Sequence, residues 1–155
     1  MSLQDELYKE TILDHYHCPR NFGSINSASL KLEGLNPLCG DELTLYLKLN
    51  NDIIEDIKVE AKGCSISTAS SSMMTEAVKG LSLDKAINIA SEFKQMMLNK
   101  NEITVFDETN DDLNALAGVK KYPVRIKCAL LAWNTLLQCI EGNNTENDNL
   151  KNSKE

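Results

Sequence analysis

Asn36-Pro37-Leu38-Cys39-Gly40-Asp41 places a soft ligand, a turn residue and a carboxylate side by side at the mouth of an alternating apolar run. Glycine lets the backbone bend between Cys39 and Asp41, so both side chains can face one ion. On its own a Cys-x-Asp triplet is weak, since a cysteine often serves as a small buried hydrophobe and a turn aspartate usually caps its own backbone. Two more cysteines recur in equally constrained settings. Gly63-Cys64-Ser65 lies where strand periodicity gives way to helical periodicity, and Lys127-Cys128-Ala129 opens an amphipathic helix. Together they make a candidate Cys3Asp site whose convergence depends on the fold.

Working outward, Leu30 to Leu35 alternates apolar and polar residues. Leu43, Leu45, Leu47 and Leu49 then alternate with Thr44, Tyr46 and Lys48, the pattern of strands with one buried face. Asn50-Asn51-Asp52 reads as a hairpin turn, and Ile57, Val59 and Ala61 alternate with Lys58 and Glu60 on the return strand. The expectation is a three-stranded antiparallel meander. Cys39 would begin its second strand and Cys64 would follow its third, which puts both on one edge of the sheet.

The flanking segments read as helical. Leu3, Leu7, Thr11, Ile12 and Tyr16 keep three-to-four spacing up to the turn Pro19-Arg20-Asn21-Phe22-Gly23. His15, His17 and Cys18 form a second cluster near this helix end; His17 and Cys18, neighbours at the end itself, are expected to be exposed or capping. After Cys64, the residues Ile66, Ala69, Met73, Met74, Ala77 and Val78 make one helical face, with a stop at Gly80. Cys64 then sits at a helix N-terminus, where free N–H groups favour a thiolate. The serines at 65, 67, 70, 71 and 72 have no visible Ser-His-Asp arrangement and fit close packing.

Ser82 caps a further helix bearing Leu83, Ala86, Ile87, Ala90, Phe93 and Met97. Residues 99–118 are acidic and partly helical around Leu113 and Leu116. Pro123 suits the first turn of a last helix with an apolar stripe of Ile126, Ala129, Leu130, Trp133, Leu137 and Ile140. Cys128 falls about 160° from that stripe, so it is not simply core. Cys139 is three turns on, roughly 16 Å by helical rise, and reads as structural. The organisation expected is one domain over residues 1–141 and a disordered polar tail over 142–155.

Composition narrows the function classes. The 155 residues are 42% hydrophobic and 5% aromatic, enough for one aliphatic core. A formal charge of -7 argues against binding nucleic acid. No run approaches a membrane span, and Met1-Ser2-Leu3-Gln4-Asp5-Glu6 lacks the regions of a signal peptide, so a cytoplasmic location is expected. Five cysteines in a reducing compartment point to free thiols or metal ligands rather than disulfides.

The chain resembles the U-type iron-sulfur assembly proteins, the IscU/NifU-N family, and within it the SufU branch. The likeness runs through Leu7-Tyr8, Ile12-Leu13-Asp14-His15-Tyr16, Pro19-Arg20-Asn21-Phe22-Gly23, Asn36-Pro37-Leu38-Cys39-Gly40-Asp41, Gly63-Cys64-Ser65-Ile66-Ser67 and Val124-Arg125-Ile126-Lys127-Cys128-Ala129-Leu130-Leu131-Ala132-Trp133. It implies an α+β fold, a three-stranded antiparallel sheet packed against helices, with Cys39, Asp41, Cys64 and Cys128 around one metal. Lys127 stands where the scaffold branch has a histidine ligand, and residues 99–118 are extra sequence; both match the SufU pattern.

The resemblance further implies a zinc-bound, sulfurtransferase-like acceptor that takes persulfide sulfur at Cys39 from a SufS-type cysteine desulfurase. On docking, a histidine from the desulfurase would replace Cys39 on the metal. Arg125 would favour the thiolate at Cys39. Three thiolates and a carboxylate also suit a tetrahedral zinc shell on chemical grounds. Two alternatives stay open: a scaffold that assembles an iron-sulfur cluster or holds iron for downstream acceptor proteins, and a purely structural zinc domain.

Overall fold

The computed structural model describes residues 3–99 and 105–152. Helix α1 (Leu3–His17) leads into three antiparallel strands, β1 (Leu30–Asn36), β2 (Asp41–Asn50) and β3 (Ile53–Lys62), in the sheet order β1-β2-β3. Then come α2 (Ser65–Val78), α3 (Leu83–Leu98), the short α4 (Asp111–Asn114) between two 3-10 turns, and α5 (Pro123–Asn152). The expected meander and its helices are present. Positive φ at Asn51 and Asp52 closes the β2–β3 hairpin, the backbone that a tight two-residue turn requires.

Alternation builds the core. Leu43, Leu45 and Leu47 of β2 turn inward beside Ile57 and Val59 of β3, all essentially inaccessible. Phe93 of α3 stacks on Trp133 of α5 with ring centroids 4.4 Å apart. The free edge of β3 is strapped by the turn after α1: Gly23 donates to the Val59 carbonyl, and the Val59 N–H donates to Asn21.

Helices α1, α2 and α5 depart from the expected single stripes. In α1 the inward row is Tyr8, Thr11, Ile12 and His15, whereas Leu7 and Tyr16 are exposed. Helix α2 is enclosed almost all round from Ser67 to Thr75, because it packs against α1, α5 and β3. Its serines allow this close approach and are paired internally. The Ser70 hydroxyl donates to the Ala129 carbonyl and accepts from Trp133 Nε1, while the Ser71 hydroxyl donates to the Ser67 carbonyl.

Helix α5 is buried on two sides between Cys128 and Leu136, because β1 covers the face opposite the apolar stripe. Cys128, Leu131 and Thr135 line that second face at helical spacing. The fit is tight at Gly34 of β1, where a Cβ would run into the Thr135 hydroxyl. The backbone of α5 continues as helix to Asn152, into the polar segment expected as a disordered tail. Residues 153–155 of that segment, and 100–104 of the acidic stretch, lie outside the described residues.

Candidate metal centre

Three element ends meet at one corner: the β1–β2 turn, the N-terminus of α2 and the first turns of α5. Asn36 pairs with Asp41 at the last register position of β1 and β2, so residues 37–40 form the tight loop that carries Cys39. Gly40 has φ +70° with open space where a Cβ would point, a conformation that L side chains rarely adopt.

Cys39, Asp41 and Cys128 each offer a ligand atom, and these atoms all lie within 4.8 Å of one another. The sulfurs of Cys39 and Cys128 are 3.0 Å apart. Cys64 adjoins the group through Asp41: its backbone N–H donates to Asp41 Oδ1 at 2.9 Å, and its Sγ lies 3.9 Å from Oδ2. The same sulfur caps α2 by accepting from the Ser67 N–H at 3.4 Å. Cys128 and Asp41 are buried, whereas Cys39 and Cys64 are half-buried. Gly63 makes room for the carboxylate, since a Cβ there would strike Asp41.

The donor set suits a cation. Burial pushes the Cys128 thiol well above its usual range, with its contacts to Cys39 and Asp41 acting in the same direction. An enclosed carboxylate among three sulfurs is a set of soft acceptors with one harder oxygen, and a divalent zinc or iron ion fits this donor set. Such an ion would supply the charge that keeps the thiols deprotonated.

Arg125, exposed on the first turn of α5, has its proton affinity raised by Cys64 first and then by Cys128. Lys127 is exposed.

Two cysteines and two histidines stand apart from this corner. Cys139 is buried in the core, which pushes its thiol up to about 11. Cys18 and His17 are exposed. His15, unlike its neighbours at the helix end, is buried with both ring nitrogens engaged. Nδ1 lies 2.8 Å from Ser72 Oγ, and Nε2 lies 2.8 Å from Asp112 Oδ2. Asp112 lies in the segment inserted before α5, so no local signal tied it to His15. Sequence reasoning also gave no role to Asn36 or Gly63, although each neighbours a candidate ligand in its motif.

The model of the NifU-like N terminal domain matches residues 7–140. The zinc-dependent sulfurtransferase SufU of Bacillus subtilis is 47% identical over 134 residues, which span 85% of this chain and 88% of that protein. The iron-sulfur cluster assembly scaffold protein IscU of Streptococcus pyogenes is 40% identical, over 91% of this chain and 87% of its own. Among solved structures, FiSufU of Fervidobacterium islandicum AW-1 superimposes with a TM-score of 0.77 at 38% identity, covering 87% of this chain and 97% of that one. With its sheet, its helices and the Cys39–Asp41–Cys128 corner in place, the chain belongs to the NifU-like N terminal domain family.

Proposed function

We propose that this protein is a zinc-dependent sulfur acceptor, which takes sulfane sulfur from a SufS-type cysteine desulfurase and hands it on during iron-sulfur cluster biogenesis in the cytoplasm. Cys39, Asp41, Cys64 and Cys128 are the proposed zinc ligands. The observation that carries the reading is the unequal setting of the sulfurs. Cys128 is sealed inside and Cys64 caps a helix, but Cys39 stands half-buried on a loop that turns at Gly40. Leu38 beside it is 72% exposed and Val124, one helical turn before Cys128, is 65% exposed, so apolar surface surrounds the site where a protein partner would dock.

Cys39 is the attacking group. Its thiolate bonds to the terminal sulfur of the desulfurase persulfide, the S–S bond to the desulfurase cysteine breaks, and that cysteine leaves as thiolate with the bonding pair. Cys39 then carries the persulfide and its proton. The Gly40 turn lets Cys39 move out from Cys128 while Asp41, Cys64 and Cys128 stay. A scaffold role would use the same residues. Lys127, a cation in place of a fifth ligand, favours transfer over it.

Adding the protein to a SufS-type desulfurase and cysteine tests the reading through alanine formation and mass spectrometry of the trapped product. Strong stimulation with the added sulfur on Cys39 is expected. Sulfur on Cys64, Cys128 or Cys139 instead would overturn it.

A further inference from the structure

We propose that Asn36 is a positioning residue that fixes Cys128 as a permanent sulfur of the site, leaving Cys39 as the sulfur free to react. This deepens the transfer reading and rests on it. Asn36 is buried at the inward-facing end of β1, two residues from Gly34 and so on the same face of the strand. Gly34 receives Leu131 and Thr135 of α5, and Asn36 receives Cys128 one and two turns earlier on the same helical face. Its side-chain Nδ2 lies 3.8 Å from the Cys128 sulfur and donates to it. Its carbonyl accepts the Cys39 N–H at 3.2 Å, which closes the Cys39 loop. One residue therefore touches the fixed sulfur with its side chain and the mobile loop with its backbone.

The N–H donors around the sulfurs are unevenly shared. Cys128 has Asn36 and Cys64 has the Ser67 N–H. Among the described residues, the Cys39 sulfur has a hydrogen-bond contact with Cys128 alone. A donor aimed at a thiolate draws electron density from it, makes it a poorer nucleophile and orients it as a ligand. Asn36 does this with a neutral amide, so its effect does not titrate. In this arrangement the two sulfurs that must stay are quenched and the one that must leave is not.

Asn36→Leu and Asn36→Asp both remove the donor at nearly constant volume, and each is loaded with cobalt(II) or zinc(II). The thiolate-to-cobalt charge-transfer band is expected to move to longer wavelength in both variants, and zinc affinity to fall by about 10-fold. A band that stays in place in both variants overturns the role of Asn36, because a merely structural residue would weaken binding without moving it. A moved band together with sulfur found elsewhere than Cys39 upholds Asn36 and overturns the transfer reading instead.

Discussion

Two polar clusters adjoin α2, one at Ser72 in its middle and one at its N-terminus, and they differ in what their partners leave over. In the first, His15 is enclosed by Ser72 and Asp112, and Ser72 also accepts the Arg20 N–H. Donors and acceptors balance, so the cluster needs nothing further and acts as a strut between α1, α2 and the inserted segment. In the second, Cys39, Asp41 and Cys128 are all acceptors once ionised, and they crowd within one ligand's reach. A cation would complete that cluster. Burial alone does not mark a functional site; the unspent valence does.

The largest effect should come from removing the metal. A chelator is expected to lower the melting temperature by roughly 10 °C, because binding free energy is available only to the folded chain. Asp41→Ala should melt at one temperature with or without chelator. An Asp41→Ala protein that still holds one zinc would break the contrast between the clusters.

His15→Ala should cost roughly 2–4 kcal/mol in urea denaturation, through a cavity and a stranded Ser72 hydroxyl. Zinc stoichiometry should not change, and its loss would show that the strut belongs to the site. Gly63→Ala should affect both, since a Cβ there presses on the Asp41 carboxylate. About 10-fold weaker zinc binding is expected, with a stability loss of about 1–3 kcal/mol, both measurable by competition with a chromophoric chelator and by denaturation.

The smallest effect concerns Cys139. Its folded pKa, raised from 9.0 to about 11 by burial, means that the unfolded chain gives up the proton first. Stability is thus full below pH 9, falls as pH rises from 9 towards 11, and is down by about 1 kcal/mol at pH 10. Cys139→Ala should remove this part of the alkaline decline in a pH series of denaturation curves; an unchanged slope would assign the decline to other groups.

Much of this was legible in the residues. The leucines of β2 and the Asn51-Asp52 turn give the hairpin, and the hairpin brings Cys39 and Cys64 to one end of the sheet. Legibility failed where a helix has more than one neighbour. Periodicity locates the strongest stripe of α5 but is silent on the face that β1 covers, and that face holds Cys128, Leu131 and Thr135. Likewise Leu7 outranks His15 in hydrophobicity, yet His15 is the buried one, because Asp112, ninety-seven residues away, supplies the partner that makes its burial affordable. Asn36 was in plain view beside Cys39, but its use depends on where α5 passes, which no local pattern encodes.

The strap across β3 bears on how the protein behaves at high concentration. Asn21 and Gly23 occupy the outward N–H and carbonyl of Val59, groups that another molecule's strand would otherwise seek. The polypeptide therefore acts as its own chain terminator, and a version beginning after Gly23 would expose a template for edge-to-edge growth. The open edge of this fold is thus guarded by the turn that also carries the Arg20–Asp14 ion pair, and that guard would be lost by truncation well before the candidate metal corner was touched.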